Sequence, residues 1–566
     1  MRSSGVLSEL APLEAARRGP KGLPTETVLV GLVLAAIEKR STNLDDAWEC
    51  VQFRAGPHWL PYFHLPDIRP TDVAACRASS KRYYDAWSRI STVLDPARHD
   101  RRRRLPRTES VVYRRVWMRP VLDAAPVLSR VANRLVLAPV RAAVARGLLS
   151  QWGGDLSVDT TAIPTWARYH TKRRSSLEVS AGYHVSGGGH QTFGYSATLL
   201  VAGHADPARS GHYPQLCMGM ALHAPGRQIG LQAVRLLETV KQLWPETGFV
   251  AGDLAYSDAK VENFHAPVRA LGYEPVTDFK TTIVKKDRKA VEGVVAIAGD
   301  LLCPHTPRRV IETYHLMAGS KRSKDRQALL PRMEQAESYV LPLKQSADDR
   351  GIERRQCPAA GTSPRVTCTW AQERAKASAR RRPRRDAIRA RRPGHSPRET
   401  IDLTDLRARK AHPDARPTVR PPNDLPVHRR PAICQQATIS VPADVMPKLR
   451  QELPWGREAW QTAYRSLRSH IEGLNGRAKN VNTFLDAREK RQCRGRVAQT
   501  LLAAIQLMVE NLRTIESFLR DQRRWSDEHY TLMEIPQTPD PFVTAANDST
   551  GVRDASPSAP LDPPEP

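Results

Sequence analysis

The hydrophobic pattern of the chain changes its period after the pair Gly153 and Gly154. Before this pair, from Thr25 to Ser150, apolar residues recur at three- and four-residue spacing, as on the buried face of a helix. After it come short apolar or alternating runs bounded by glycine, proline or polar turns, which predict β-strands. The predicted strands are Leu156–Ile163, Tyr195–Ala202, Leu216–His223 and Gly248–Gly252, and the predicted helices around the last strand are Gln228–Leu243 and Asp258–Leu271. Strands followed by helices indicate an α/β fold with a mixed sheet, preceded by an all-helical N-terminal region.

The same pattern divides the chain into five regions. Residues 1–150 are the helical N-terminal region, and residues 151–275 are the first part of the α/β core. Residues 276–442 are predicted to be a large, basic and partly disordered insertion, because Arg380–Arg392 holds eight arginines and its surroundings are rich in proline. Helical periodicity returns over residues 443–525, the second part of the core, and a disordered tail is expected over residues 526–566.

The net charge of the chain indicates what kind of molecule it binds. Lysine and arginine outnumber aspartate and glutamate by 87 to 59, which gives a formal charge of +28. Such an excess favours a polyanion, either nucleic acid or an acidic membrane surface. The longest apolar run, Val28–Ile37, is about half of the roughly 20 residues that cross a bilayer. Nucleic acid is therefore the expected partner, with no membrane, and the eight irregularly spaced cysteines are expected to be reduced.

Two aspartates follow predicted strands. Asp159 closes the hydrophobic run in LSVDTTAIP, and Asp253 follows the strand in GFVAGDLAYSD, where Gly252 permits close backbone approach. Taken alone, Asp159 is more often a turn residue that caps the next segment. In open α/β sheets, however, ligands gather at the carboxyl ends of strands, so the two side chains are expected to face one cation. Asp258 is better explained as the cap of the following helix.

A third acid lies in the helical block AYRSLRSHIEGLNGRAKN. At about 100° per residue, Tyr464, Arg468, Glu472, Asn475 and Lys479 point into one narrow sector of the helix. Such residues do not form an apolar core stripe. They form either a functional site or a solvated face with an ordinary ion pair between Arg468 and Glu472, and the helix alone does not decide between the two.

The three acids together suit two-metal phosphoryl transfer. Magnesium prefers hard oxygen ligands, and two ions about 4 Å apart can activate the attacking oxygen and stabilise the leaving one. Carboxylates brought so close are tolerated only with bound cations or shared protons. Two strand aspartates and one helical glutamate, in this order along the chain, provide such a set.

The chain resembles DDE-type bacterial insertion-sequence transposases, which have a ribonuclease H-like core. The resemblance covers Leu156–Asn480 and rests on LSVDTTAI, on FVAGDLAYSD and on the helix around Glu472. In that group the third acid belongs to a tyrosine, arginine, glutamate and lysine pattern, which Arg468, Glu472 and Lys479 match at the expected spacing. Tyr464 stands one residue too early, which puts its role in doubt.

The resemblance implies roles for these residues. Asp159, Asp253 and Glu472 would be the catalytic residues and the ligands of two Mg²⁺ ions, for which Mn²⁺ could substitute. Arg468 and Lys479 would contact phosphates near the cleaved strand. The reaction would be attack of metal-activated water on a phosphodiester at the end of the mobile element, followed by attack of the freed 3′-hydroxyl on target DNA. The long interval between Asp253 and Glu472 would hold the insertion common in this group.

The resemblance also implies partners and a location. The partner would be double-stranded DNA, both the terminal inverted repeats of the element and the target. Residues 1–150 would bind the element ends, and Tyr464 with the loop Lys172, Arg173 and Arg174 would add DNA contacts, although an exposed basic loop is nearly as good an explanation for the latter. A homodimer or higher multimer on DNA, in the cytoplasm and associated with the nucleoid, is expected.

Two other functions compete with this one. The first keeps the fold but removes the enzyme, leaving an inactive or domesticated transposase-derived protein that only binds DNA. The second is a phosphatase that uses Asp159 as its nucleophile, but Thr161 occupies the place where those enzymes need a second aspartate.

Two further motifs carry less information. Cys303 with His305, and then Cys357, Cys368 and Cys434, contain the atoms for a zinc site, but their separations match no common zinc motif and favour isolated thiols. The run SGGGH at residues 186–190 lacks the residues of a phosphate loop and predicts a hairpin turn.

Overall fold

A six-stranded mixed sheet forms around the long strand Gln191–Ala202 in a computed structural model of the protein. The structure describes residues 2–15, 22–95, 104–113, 126–226, 228–285, 288–289, 293–320, 322–390 and 416–525. The chain divides into two compact units, Met1–Ile515 and Glu516–Pro566. The strands of the sheet are β1 Leu156–Pro164, β2 Gly182–Val185, β3 Gln191–Ala202, β4 Cys217–His223, β5 Phe249–Gly252 and β6 Glu274–Thr277.

The order of the strands places β1 in the interior of the sheet. It pairs antiparallel with β3 on one side and parallel with β5 on the other, and β6 continues the parallel part beyond β5. β2 and β4 both pair antiparallel with the far edge of β3, at its opposite ends. The predicted mixed α/β fold is confirmed, and so are the four predicted strands. β2 and β6 were not predicted because each has four residues and little apolar alternation.

Helices account for most of the remaining structure. The N-terminal region is helical as predicted, with α1 Val6–Ala15, α2 Thr25–Glu38, α3 Leu44–Glu49, α4 Val73–Val93, α5 Arg107–Tyr113 and α6 Pro126–Ala145. Those that follow are α7 Ile229–Leu243, α8 Leu254–Ser257, α9 His265–Ala270, α10 Thr281–Val284, α11 Arg308–Gly319, α12 Ser323–Ala336, α13 Thr369–Ala390, α14 Ala432–Gln436, α15 Glu458–Gly476 and α16 Arg496–Trp525. None of the helices within the described ranges is long and apolar enough to cross a membrane.

Both faces of the sheet are covered, because successive side chains of a strand point to opposite sides. In β3, Leu199 and Val201 belong to a core that also contains Ile471 and Leu474 of α15. Their neighbours Leu200 and Ala202 belong to a second core with residues of α6 and α7. In β1 the alternation puts Val158 on the α7 side and Asp159 on the side of α15. The pleat of β1 therefore aims Asp159 at the helix that carries Glu472.

The segment between β6 and α15 has a hydrophobic core of its own, which the sequence analysis did not predict. We call residues 276–442 the inserted segment. Its strands are β7 Arg288–Lys289, β8 Val295–Ile297, β9 Asp300–Leu302, β10 Leu343–Gln345, β11 Glu353–Gln356, β12 Thr367–Cys368, β13 Thr418–Val419 and β14 Thr438–Val441. The core gathers Tyr314, Met333 and Ile439, together with Trp455 and Trp460 near the start of α15.

Some predictions for this part of the chain were wrong, and others fall outside the described residues. Most of the arginine-rich stretch predicted to be disordered belongs to α13, which reaches Ala390. Residues 391–415 and the tail over residues 526–566 lie outside the described residues. In place of the helix predicted over Asp258–Leu271, the structure has a 3₁₀ turn at Val261–Asn263 and the short helix α9. Asp258 ends α8 instead of capping a new helix, and its carboxylate pairs with Lys280.

Candidate functional site

Asp159 and Asp253 lie next to each other where the parallel strands β1 and β5 stop pairing. The parallel pairing of β1 with β5 ends at Val158 and Gly252, and each aspartate is the residue that follows. Asp159 is not at the end of its strand, contrary to the sequence-based prediction, because β1 continues to Pro164 against β3. The expected proximity of the two aspartates is nevertheless present, since it depends on where the parallel pairing stops.

The Asp159 carboxylate is held inside the site by its own backbone and by an arginine. Its side chain is 19% exposed, its Oδ1 accepts a hydrogen bond from the backbone N–H of Thr160 at 2.8 Å, and its Oδ2 lies 3.6 Å from Nη2 of Arg468. Burial raises the pKa of Asp159; Arg468 opposes this increase, and Asp253 adds to it. A buried carboxylate beside a second carboxylate is stabilised by any cation that approaches it.

Asp253 is positioned by the turn that leaves β5. It is the N-cap of the short helix α8, where its Oδ1 accepts a hydrogen bond from the backbone N–H of Ala255 at 2.9 Å. A Cβ on Gly252 would lie 3.0 Å from the Cβ of Tyr256, so the glycine allows this tight exit from the strand. The hydroxyl groups of Tyr256 and Thr160 lie 2.8 Å apart, which ties the Asp253 turn to β1.

The helix α15 packs against the sheet with almost no space between them. A Cβ on Gly203, just after β3, would lie 2.7 Å from the His470 ring and 2.9 Å from Leu467. The Ser466 hydroxyl donates a hydrogen bond to the backbone oxygen of His204 at 2.6 Å. These contacts bury one face of α15 against the sheet and turn its polar face toward Asp159.

Arg468 joins the third acid to the first. Its Nη2 lies 3.5 Å from Oε1 of Glu472 and 3.6 Å from Oδ2 of Asp159, so the two carboxylate oxygens are no farther apart than the sum of these distances. The Glu472 side chain is 67% exposed and is not among the residues that line the cleft at the aspartates. The Nη1 of Arg468 is buried and finds no hydrogen-bond acceptor among the described residues. The guanidinium therefore lies between the two acids that were predicted to share metal.

An open cleft of about 1250 Å³ extends from the two aspartates along β2 and β3. Lys479, in the π-helical turn after α15, lines it, as do Asn475 and Arg468. Other lining residues were not predicted from the sequence, because they converge on the cleft from loops and a short strand: Trp166, Arg168, Tyr169, His184, Asp486 and Arg488. The rings of Trp166 and Tyr169 are exposed, and the Arg488 guanidinium stands 5.8 Å from the Trp166 ring centre.

The remaining predicted DNA contacts lie elsewhere. Tyr464 is half-buried, stacks on Trp460 with ring centres 4.9 Å apart, and does not line the cleft. Burial raises its pKa, and Asp278 raises it further. Lys172, Arg173 and Arg174 are exposed on a loop beside the cleft lining, and the backbone of that loop pairs with Pro106 and Arg107. Tyr464 therefore does not face the cleft, whereas the side chains of Lys172, Arg173 and Arg174 are exposed to solvent.

Only part of the predicted set of metal ligands is arranged to suit a divalent cation. Asp159 and Asp253 supply adjacent carboxylate oxygens, the ligand type that magnesium prefers. Glu472 is close but paired with Arg468, and no group of three or more His, Cys, Asp or Glu residues is arranged to hold a metal within the described ranges. The two aspartates therefore suit a first ion as they stand, and Glu472 would join them only after the Arg468 guanidinium moves.

Comparisons of the chain with protein-family models, with curated proteins and with solved structures find no match.

Proposed function

We propose that this protein is a DDE-type DNA transposase with a ribonuclease H-like core, in which Asp159, Asp253 and Glu472 hold the catalytic magnesium ions. The observation that carries the proposal is the convergence of Asp159, Asp253 and the Arg468–Glu472 pair at one edge of the sheet. Three antiparallel strands followed by two parallel ones, in the order β4, β3, β1, β5 and β6, also support such a core.

The charge around the cleft supports a phosphodiester substrate. Four of the lining residues are the cations Arg168, Arg468, Lys479 and Arg488, and two exposed aromatic rings stand among them. Cations bind phosphates, and exposed rings provide surfaces on which unpaired bases stack. A cleft with acids at one end and cations along its walls suits a polyanion that is held by phosphates and cut at the acids.

Each side chain then has a defined task. Asp159 and Asp253 would hold Mg²⁺, which when bound supplies the charge that activates the attacking oxygen and stabilises the leaving one. Arg468 would exchange its contacts with Asp159 and Glu472 for a phosphate oxygen when DNA enters, which releases Glu472 toward the aspartates. Lys479 would neutralise a neighbouring phosphate.

His184 in the cleft shares a hydrogen bond with the Ser196 hydroxyl at 2.8 Å. Burial lowers the pKa of His184 and Lys479 lowers it further, so the imidazole stays neutral near pH 7.

A DNA-binding protein without cleavage activity is the second candidate. The observation in its favour is the Arg468 guanidinium, which stands between Asp159 and Glu472 where a shared cation is expected. If that arrangement persisted on DNA, the basic cleft would bind the duplex and the acids would not complete a metal site.

The test is strand cleavage of DNA that carries both sequences flanking the coding region. Wild type with Mg²⁺ should nick or cut at the element ends, and the same protein with chelator should not. Asp159→Ala should bind this DNA with unchanged affinity and leave it intact. Binding by wild type without any cleavage, with Mg²⁺ or with Mn²⁺, would favour the second candidate.

A further inference from the structure

Four cysteines of the inserted segment come together from four separate stretches of chain. Cys303, Cys357, Cys368 and Cys434 are 5 to 8% exposed and belong to the same hydrophobic core. The other four cysteines lie outside that core, and all eight are free thiols. Spacing along the sequence gave no sign of this convergence, because each cysteine comes from a different element.

Direct contacts tie each of these stretches to another. The backbone N–H of Cys357 donates to the oxygen of Ala437, three residues after Cys434, at 2.8 Å. A guanidinium N–H of Arg374, in the helix that follows Cys368, donates to the backbone oxygen of Cys434. The His305 ring, two residues after Cys303, packs edge-on against Trp370 at 4.9 Å. These contacts join the stretches of chain that carry the four cysteines.

Two of these cysteines each begin a tight backbone turn. Cys303 and Cys357 are each followed by proline and by a turn, in which the N–H of Thr306 or Ala360 donates to the cysteine oxygen at 3.0 or 2.9 Å. In the Cys303 turn the backbone N–H of His305 points to the sulfur. Amide donors directed at sulfur stabilise the deprotonated form, which is the form that binds metals.

The surroundings also balance the charge of bound thiolates. Arg374 and Arg430 both place positive charge near the Cys434 thiol. The Arg430 guanidinium also stands 4.3 Å from the Trp370 ring centre, which holds it beside the cluster. Two guanidinium groups would offset the two negative charges of a divalent cation bound by four thiolates.

We propose that Cys303, Cys357, Cys368 and Cys434 bind one structural Zn²⁺ ion. Four thiolates in a closed shell are a common ligand set for structural zinc, and binding releases the four thiol protons to solvent. Within the described part of the chain no such group stands in coordinating geometry, so the four side chains must converge further when the ion binds. The ion would clamp strands of two to four residues that pair weakly by themselves.

The experiment measures metal in the full-length protein purified without added metal or chelating resin. Elemental analysis should find about one zinc per chain. Cys357→Ser and Cys434→Ser should lose most of it after brief dialysis against a weak chelator, and Cys217→Ser, which removes a buried thiol of the sheet, should keep it. His305→Asn should also keep it, because four thiolates complete the shell.

Cobalt substitution of the wild type gives a second readout that needs no variant. Cobalt bound by four thiolates gives tetrahedral ligand-field bands and strong sulfur-to-cobalt charge-transfer bands, which are expected here even if a serine variant fails to fold. A wild type without zinc that takes up cobalt without these bands would overturn the proposal. Zinc that survives in both serine variants, or that is lost in Cys217→Ser or His305→Asn alone, would overturn it as well.

Discussion

The sheet and the inserted segment are stabilised in different ways. The sheet contains a strand of 12 residues and is covered by long helices on both faces, so apolar burial and continuous pairing hold it together. Among the described residues of the inserted segment no strand is longer than four residues, and its core includes four cysteines and borders a buried ion pair. The sheet therefore holds two acids side by side on a framework of apolar burial and strand pairing, whereas the inserted segment uses polar groups for its own cohesion.

The largest expected effect is on chemistry at the sheet. Asp253→Asn and Glu472→Gln should each lower the rate of DNA cleavage by about 1000-fold or more, since a lost metal ligand removes several kcal/mol of transition-state stabilisation. DNA affinity should stay nearly unchanged, because the cations of the cleft remain. Gel-based cleavage and binding assays on one preparation measure both. Asp258→Asn is the matched control, and a similar loss there, or equal losses of binding and cleavage, would contradict the assignment.

The second-largest expected effect is on the stability of the inserted segment. The Arg457 guanidinium, 6% exposed at the N-cap of α15, lies 3.0 Å from Asp300, and the Asp300 carboxylate accepts a hydrogen bond from Tyr314 at 2.5 Å. Asp300→Ala leaves the buried Arg457 with only a longer contact to Glu337 at 3.7 Å, which should lower the free energy of unfolding by about 3 to 5 kcal/mol. Glu312→Ala removes an exposed pair with Arg308 and should cost less than about 1 kcal/mol. Denaturant unfolding of both variants makes the comparison, and similar values for the two would refute it.

A smaller effect is the decrease in the free energy of unfolding at acidic pH that buried histidines cause. Burial lowers the pKa of His223 in β4 and of His265 in α9 to about 4. Unfolded histidine titrates near 6.5, so between about pH 6.5 and pH 4 the unfolded chain binds more protons and the free energy of unfolding falls as the pH falls. His223→Gln should flatten part of this dependence, while the exposed His190→Gln should not. Urea unfolding at pH 7 and pH 5 measures the difference, and identical slopes in the two variants would show that His223 contributes nothing.

The smallest effect concerns the cations of the cleft. Each protein–phosphate contact that is removed lowers the slope of log affinity against log salt by about one unit. Arg488→Ala and Lys479→Ala should each show this change in DNA binding, and Arg308→Ala, on the inserted segment, should not. Fluorescence anisotropy at several salt concentrations gives the slopes. A slope that changes for Arg308→Ala and not for Arg488→Ala would indicate that DNA binds the inserted segment and not the cleft.

The sequence predicted the sheet better than it predicted the inserted segment, for a physical reason. Long apolar runs such as Tyr195–Ala202 fix strands locally, and the two aspartates follow from where those runs stop. The helical period predicted that Arg468 and Glu472 share one face of the helix. It could not predict that the Arg468 guanidinium would contact both Glu472 and Asp159. The four cysteines were named as possible zinc ligands, but isolated thiols were favoured because the separations match no common motif and the four share one core only in the tertiary structure.

Counting the Mn²⁺ ions bound to the protein–DNA complex by electron paramagnetic resonance tests whether Asp159, Asp253 and Glu472 hold divalent cations for DNA cleavage. We expect about two ions per active site in wild type, fewer in Asp159→Asn, and fewer again when Glu472→Gln is added. The same count in wild type and in the doubly substituted protein, with DNA fully bound in both, would contradict it.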